Sequence, residues 1–420
     1  MKVFKFGGFA VSTAANIKNL VNIINMNSTD QLLIIVSAMG KTTDALEKLC
    51  LAYLNNRNEA ILLLNGIKEF HELIISELFG SEDHPVYDEV ANTFIEIEWM
   101  LEEEPHPDFD FIYDQIVSIG ELVSSKIISA YLAECKLNSK WIDARSYIHT
   151  DNSYREGIID WEKTSASILQ LQEHIKNQII VSQGFIGGTS ENFTTTLGRE
   201  GSDYSAAVFA SCIHAESLTV WKDVPGIMNA DPALFSSAQK YEELPYSEAL
   251  ELAYYGANII HPKTIKPLQN AGIPLFVKPF LKPEESGTRI DQSAKLNNNI
   301  TAIILKKHQI LLTISTKDFS YMDEQYLSAL LKTFSEAHIK LNMMQLSALS
   351  VSVCLDQDEV KLKKVTDLFH DKLLFKADEG LELLTILNFK EDEVQKLSKG
   401  KTIMMEQISI KTAQLVMKYL

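Results

Sequence analysis

Short, unbroken apolar runs recur along this chain, each bounded by polar or glycine-containing stretches. The clearest are Val3–Phe6, Leu32–Ser37, Ile179–Gln183, Leu218–Trp221 and Leu275–Lys278. Continuous rather than alternating apolar positions predict strands covered on both faces. With helical segments between them, they predict an α/β fold with a mostly parallel sheet. Between Asp44 and Ser118 the pattern changes: Leu, Ile and Glu recur at helical spacing, predicting a helical insertion over 44–118. The stretch Gly287–Asn299 is rich in turn formers and predicts a boundary, with one domain over 1–290 and a second over 300–420. In the second, Ile300–Leu305, Ile310–Ser315, Leu349–Leu355 and Leu381–Leu387 read as strands. Gln325–Ala337 and Val360–Lys372 read as helices. Small β-α-β-β-α-β units have this order. Too few residues follow Leu387 for a full second unit, which must be shortened or share strands with the first.

Composition narrows the function classes. Apolar residues make up 46% of the 420 positions and charged residues 23%, ordinary values for a globular protein. No apolar run approaches the length of a bilayer span, and the N-terminus lacks the apolar core of a signal peptide. Cys50, Cys135, Cys212 and Cys354 lie far apart with no CxxC pair, which predicts free thiols and a cytoplasmic setting. The net charge of −17 disfavours nucleic acid and anionic membranes as partners. Anionic substrates must then be captured by local positive features.

Several segments supply such features. Lys5-Phe6-Gly7-Gly8 follows a strand and precedes a helix expected to start near Ser12 or Thr13. Two glycines let backbone N–H groups approach phosphate oxygens, and Lys5 stands within reach of a transferred phosphoryl group. A plain strand-ending turn with a surface lysine has the same sequence. No Gly-x-x-x-x-Gly-Lys-[Ser/Thr] motif occurs, which excludes a P-loop enzyme. The polar loop Thr194–Gly201 runs into an Ala-rich helix. Arg199 there has the geometry to grip a carboxylate with two hydrogen bonds, and Ser202 and Asp203 stand at the helix entry. Asp203 reads as a helix cap, a role compatible with orienting Lys5. The loop Trp221–Pro232 leaves the C-terminal end of a strand, the edge at which open α/β sheets bind ligands. Gly120-Glu121 sets an acid at the head of a helix, and Lys263 follows a proline after Gly256.

Taken in order, these segments resemble the aspartate kinases of the amino-acid kinase family. The resemblance runs through KFGG at Lys5–Gly8, IIVSAMGKTTD at Ile34–Asp44, GELVSSK at Gly120–Lys126 and DAR at Asp143–Arg145. It continues through TTTLGREGSDYSAA at Thr194–Ala207 and the WKDVPGI and HPKT segments. It implies a three-layer α/β/α sandwich followed by an α+β, ferredoxin-like ACT regulatory region with a shortened second unit. It also implies transfer of the γ-phosphoryl group of ATP, with Mg2+ held mainly by the phosphates, to the side-chain carboxylate of L-aspartate. The product, 4-phospho-L-aspartate, opens the route to lysine, threonine and methionine. By resemblance, Lys5 neutralises the phosphoryl group with the Gly7 and Gly8 amides, and Asp203 orients Lys5. Arg199 takes a carboxylate of aspartate, Glu121 its ammonium, and Ser37, Thr43 and Ser202 complete the pocket. The nucleotide falls to Lys5, Gly7, Gly8, Lys222, Asp223, Met228, Asp231, Asn258 and Lys263. No carboxylate cluster predicts a protein-built metal cage. A homodimer or higher homo-oligomer through the ACT region is implied as well.

The chain also departs from the family pattern. Phe9-Ala10 replaces Thr-Ser, Lys222-Asp223 replaces Thr-Asp, Met228 a tyrosine, Ala233 an arginine and Asn258 a lysine. Lys222 offers a charge in place of the one lost at Asn258. A catalytically weak, amino-acid-binding homologue is the alternative that these losses favour, and the intact Lys5, Glu121, Arg199, Ser202 and Asp203 oppose it. A kinase of another small acid is opposed by the Gly198–Asp203 loop. In the regulatory region, Leu341–Ser350 stands where lysine-sensitive relatives carry Val-Asp-Leu-Ile-Thr-Thr-Ser-Glu-Val-Ser. Asn342, Gln345, Leu346 and Ala348 replace its acids and hydroxyls, which predicts weak or absent lysine feedback.

Overall fold

The computed structural model describes residues 1–27, 31–81, 83–172, 178–257, 260–295, 300–318 and 320–419. Its first strands are β1 (Lys2–Phe6), β2 (Leu32–Val36), β3 (Ser139–Trp141) and β4 (Ile179–Gln183), followed by a hairpin of β5 (Ile186–Gly188) and β6 (Thr194–Thr196). Then come β7 (Ser217–Lys222), β8 (Glu243–Pro245), β9 (Leu275–Pro279) and β10 (Thr288–Asp291). Eight of these form one sheet in the order β3-β4-β2-β1-β7-β9-β10-β8. Neighbours run parallel except β9 and β10. The five apolar runs supply β1, β2, β4, β7 and β9. The short β3, β8 and β10 carry too few apolar residues to stand out as runs.

The 44–118 stretch forms helices Thr42–Asn55, Arg57–Phe79, Val86–Glu102 and Phe109–Val117. Asn56 and Asp108 cap the second and fourth by accepting backbone N–H bonds. Their apolar faces share one core with Phe4, Phe6 and Val36 of the sheet. The stretch Phe109–Glu134 is long and apolar enough to cross a membrane by length and composition, with a mean hydropathy of 1.4. Here 72% of that window is buried inside the fold, as two helices that meet at Ser118.

A second sheet holds β11 (Ala302–Thr316), β12 (Leu341–Leu346), β13 (Ser350–Asp356), β14 (Leu373–Leu387), β15 (Lys401–Ile408) and β16 (Thr412–Tyr419), all antiparallel, ordered β12-β13-β11-β14-β16-β15. Helices Glu324–Glu336 and Glu359–Phe369 pack Leu330, Phe334 and Val365 against Ile310, Leu312 and Ile314. The two runs expected at 300–305 and 310–315 are one strand. The polar Lys306–Gln309 stretch hides its continuity, because the register shifts there and His308 turns to φ 55°. The edge strand β12 was not expected, since its sequence LNMMQL lacks β-branched residues and alternation. β11 and β14, each 15 residues long, pair along most of their length. The region after Leu387 adds one helix and two strands to them.

By contact the chain divides into two units. One comprises Met1–Ile227, Lys240–Ala253 and Asn258–Leu296. The other comprises Met228–Gln239, Tyr254–Ala257 and Asn297–Leu420.

Candidate active site

Parallel pairing sets the register of the site. Lys5 on β1 lies level with Val220 on β7, and Phe6 with Trp221. Side chains alternate along a strand, and level neighbours in a parallel pair point to the same face. Lys222, two positions beyond Val220, therefore shares the face of Lys5, while Phe4, Phe6 and Trp221 enter the apolar core on the other. Helix Gly201–Cys212 packs across β1 and β7 and sets Asp203 between the two lysines. Lys5 Nζ is 2.6 Å from Asp203 Oδ1 and Lys222 Nζ is 3.2 Å from Oδ2. Asp203 is 2% exposed and Lys5 6%. Burial works to raise the Asp203 pKa, but the ammoniums of Lys222 and Lys5 outweigh it and hold it at about 2. Burial likewise pulls the Lys222 pKa down, and the charges of Asp203 and Glu200 reverse the pull. The ion pairs are what the structure shows of Asp203. Asp203 is the third residue of its helix and ion-paired, and the N-cap position belongs to Glu200.

The two glycines after β1 differ in how much room they have. A Cβ on Gly7 would make only an ordinary contact, 3.4 Å from Lys5 Nζ, which places Gly7 beside the ammonium. A Cβ on Gly8 would lie 2.9 Å from the Gly40 carbonyl and 3.0 Å from that of Ala38. Gly8 is thus demanded by a close backbone crossing, beyond any role toward phosphate. Ala10 is buried in the apolar core, and Phe9 sets its half-exposed ring edge-on to Phe280 at 6.2 Å. The hydroxyl missing at position 10 is therefore missing from a core position.

Glu121 is the third residue of helix Ile119–Glu134 and 2% exposed. Its Oε1 accepts a bond of 3.2 Å from Ala38 N, and its Oε2 is buried with no hydrogen-bond partner. Burial pushes its pKa up to about 8, with the Ala38 N–H and the charge of Lys5 offsetting only part. A buried carboxylate oxygen without a donor is costly, and an ammonium ligand would satisfy it. Ser37 extends β2 beside the glycine turn, its N–H donating to Phe6 O at 3.1 Å. Thr43 is half-buried in the first turn of helix Thr42–Asn55. Its neighbour Thr42 approaches Gly120, with Cγ2 3.3 Å from where a Gly120 Cβ would stand.

Arg199 sits between two left-handed residues, Gly198 (φ 77°) and Glu200 (φ 54°). Ser202, the second residue of helix Gly201–Cys212, packs against the end of β4: Gly184, just past the strand, has no room for a Cβ, the nearest atom being Ser202 Cβ at 2.6 Å. Glu200 was not among the expected site residues. Its Oε2 is buried without a hydrogen-bond partner, and burial raises its pKa in spite of the charge of Lys222. The signal was a second acid within the Arg199–Asp203 motif.

The remaining nucleotide candidates are scattered. Asp223 is exposed just beyond β7. Lys263 is exposed in the first turn of helix Pro262–Ala271, which His261 caps and which packs against helix Gly201–Cys212. Met228 and Asp231 belong to the other unit, where Asp231 Oδ1 accepts from Ala233 N at 2.8 Å. Asn258 lies outside the described residues. Among the described residues no three His, Cys, Asp or Glu side chains gather in a metal-holding arrangement.

The sequence model of the amino acid kinase family matches residues 1–279. The aspartokinase of Chlamydia pneumoniae is 32% identical over 321 residues, covering 74% of this chain and 68% of that protein. Lysine-sensitive aspartokinase 3 of Escherichia coli is 28% identical over 355 residues, covering 84% of this chain and 78% of that one. In three dimensions, the crystal structure of E. coli aspartokinase III in complex with aspartate and ADP, in its R-state, superposes with a TM-score of 0.84. It shares 25% identity and covers 99% of this chain and 96% of the other. The parallel sheet and the antiparallel C-terminal sheet are thus those of a known kinase fold, and the chain belongs to the amino acid kinase family, as one of its aspartokinases.

Proposed function

We propose that this chain transfers the γ-phosphoryl group of ATP to the side-chain carboxylate of L-aspartate, releasing ADP and 4-phospho-L-aspartate. One observation carries the substrate reading: a buried acid with an unsatisfied oxygen, Glu121, feels the charge of the lysine at the glycine turn. In this reading an amino acid presents its ammonium to Glu121, satisfying the unpartnered oxygen, and a carboxylate to Arg199. Its second carboxylate is then the nucleophile. Carboxylates are ionised at neutral pH, so no general base is needed. An oxygen of the aspartate side chain shares a lone pair with the γ-phosphorus to form the new P–O bond, the bond from that phosphorus to the bridging oxygen breaks, and its electron pair leaves with ADP. Lys5 neutralises the charge on the transferring group, with Gly7 and Gly8 beside it. Asp203 holds Lys5 and Lys222 in place for that moment. Ser37, Thr43 and Ser202 line the aspartate side in this reading. Lys222, Asp223, Asn258 and Lys263 line the nucleotide side. Magnesium enters as the complex of the nucleotide, carried mainly by its phosphates.

In the same reading residues 1–290 catalyse, with 44–118 as a helical insertion. Residues 300–420 form the ACT region, with a shortened second unit, through which copies of the chain associate in the cytoplasm. The weak-homologue alternative loses ground at Ala10, whose core position makes a missing hydroxyl irrelevant to phosphate. Hydroxylamine trapping tests the reaction, since it converts an acyl phosphate to a hydroxamate. ATP-dependent formation of aspartate hydroxamate is expected; ATP consumption with no hydroxamate would refute the proposal.

A further inference from the structure

An acid outside this chemistry is buried at the end of the helical insertion. Asp114, in helix Phe109–Val117, is 0% exposed and yet accepts three hydrogen bonds. Its Oδ2 takes the N–H of Arg155 at 2.8 Å and the N–H of Thr196 at 2.9 Å, and its Oδ1 takes the Thr196 hydroxyl at 2.7 Å. The next residue, Gln115, doubles the attachment. Its Nε2 donates to Thr194 O at 2.9 Å and its Oε1 accepts from Thr194 N at 3.1 Å. The helix end therefore grips the whole of β6 by side chains that imitate a neighbouring strand.

The substrate loop continues directly from β6. Thr196 is three residues before Arg199, and Gly198 between them is in the left-handed region. The Arg155 turn that Asp114 also holds is left-handed at a non-glycine residue, φ 65°. It closes on the same loop, since Gly157 N donates to Thr196 O at 2.8 Å and a Cβ on Gly198 would stand 3.4 Å from Arg155 O. Residues held in this region persist only where their surroundings fix them. In the other direction along the chain, Asp114 is seven residues before Glu121, and Ser118 N donates to Asp114 O across the junction of the two helices. A buried carboxylate costs far more than a buried amide or apolar group unless its bonds are needed. Here all three bonds go to backbone or side-chain groups of the two segments that frame Arg199.

We propose that Asp114 is a positioning residue for aspartate: it fixes the spacing between the Glu121 helix and the Arg199 loop, so that the ammonium and carboxylate sites match one amino acid. The proposal rests on the reading of Glu121 and Arg199 as the two ends of the aspartate site. Asp114 is predicted to act on aspartate and not on the nucleotide, whose candidate residues Lys222 and Lys263 lie on other elements. If Asp114 merely stabilised the fold, no such selectivity would arise.

The test compares Asp114→Asn, Thr196→Val and Arg199→Lys with the parent, reading KM for aspartate and for MgATP and checking folding by circular dichroism. Asn retains the volume but removes the charge and, with its oxygen toward the N–H groups of Arg155 and Thr196, turns the acceptor that faces the Thr196 hydroxyl into a donor; Val removes the hydroxyl bond alone and serves if Asp114→Asn does not fold. Loss of bonds to a charged group should raise the aspartate KM of Asp114→Asn by about tenfold or more and leave the MgATP KM within about twofold. A smaller shift of the same kind is expected for Thr196→Val. If Arg199→Lys raises the aspartate KM and the folded Asp114 and Thr196 variants do not, the positioning role is overturned while the substrate reading stands. Equal losses for aspartate and MgATP in Asp114→Asn overturn it as well. If Arg199→Lys also leaves the aspartate KM unchanged, the substrate reading falls and the positioning role with it.

Discussion

Lys222 stands one rung beyond Lys5 on the same face of the sheet, and the two ammoniums take opposite oxygens of Asp203, at 3.2 and 2.6 Å. A single buried carboxylate thus presets two cations at the end of the glycine turn. Preset charge of this kind stabilises a transferring phosphoryl group without reorganisation at the moment of reaction. Lys5→Ala should therefore fold and lose about 10²–10³ or more in kcat. Near-normal turnover would remove Lys5 from the chemistry.

Lys222 occupies a position where relatives of the resembled family carry threonine, and Asn258 one where they carry lysine. If Lys222 supplies the charge absent at 258, Lys222→Thr should raise the KM for MgATP by about tenfold. Adding Asn258→Lys to that variant should recover much of the loss. A double variant no better than the single one would show that the two positions are not exchangeable.

Arg199→Lys keeps the charge and loses the planar fork that matches a carboxylate. Its aspartate KM should rise by about tenfold or more with little change for MgATP. A defect confined to MgATP would assign Arg199 to the other ligand.

If Glu121 takes the ammonium of aspartate, as proposed, binding must displace a proton from it. Its pKa of about 8, raised by burial, leaves it mostly protonated near neutrality, whereas pairing with an ammonium requires the carboxylate. Aspartate binding near pH 7 should release close to one proton, and affinity should improve as pH rises toward 8. Calorimetry in buffers of different ionisation enthalpy measures both, and binding without proton release would contradict the assignment. The same shift bears on stability. Between the ordinary 4.5 and about 8 the folded chain holds a proton that the unfolded chain has lost, so stability falls as pH rises through that window. Glu121→Gln should accordingly melt above the parent at pH values over 8 and match it below 4.5, while losing aspartate affinity.

Sequence and structure agree where one physical signal dominates. The apolar runs of β1, β2, β4, β7 and β9 need two covered faces, and no other fold class provides them so economically. Lys5, Arg199 and Asp203 stand out because charge beside glycine at a strand or helix end has few structural uses. Other features were hidden for definable reasons. Asp114 reads as a stray polar residue in a helix, because its partners at 155 and 196 are distant in the chain. The second reason for Gly8 lies in Ala38 and Gly40, which pairing of β1 with β2 brings close. The continuity of β11 was masked by its own irregularity at Lys306–Gln309.

Asn342 bears on regulation. Its Oδ1 accepts from Lys306 Nζ at 2.8 Å, and its Nδ2 donates to Gln309 Oε1 at 2.8 Å and Asp356 Oδ1 at 3.0 Å. With its amide engaged on both sides, it is poorly placed to bind the ammonium of an effector. Millimolar L-lysine should change aspartate-dependent turnover by no more than about twofold, since an amide already engaged offers an ammonium little to offset its desolvation. Strong inhibition by submillimolar lysine would contradict this.

The central claim is that Glu121 and Arg199 together select aspartate as the phosphoryl acceptor. ADP release from MgATP, measured with aspartate, glutamate and N-acetylglutamate as separate acceptors, tests it most directly. Glutamate places its reacting carboxylate one methylene too far, and acetylation removes the ammonium that Glu121 requires. Turnover with aspartate well above that with either of the others is the predicted result; equal or greater turnover with glutamate or N-acetylglutamate would contradict the account.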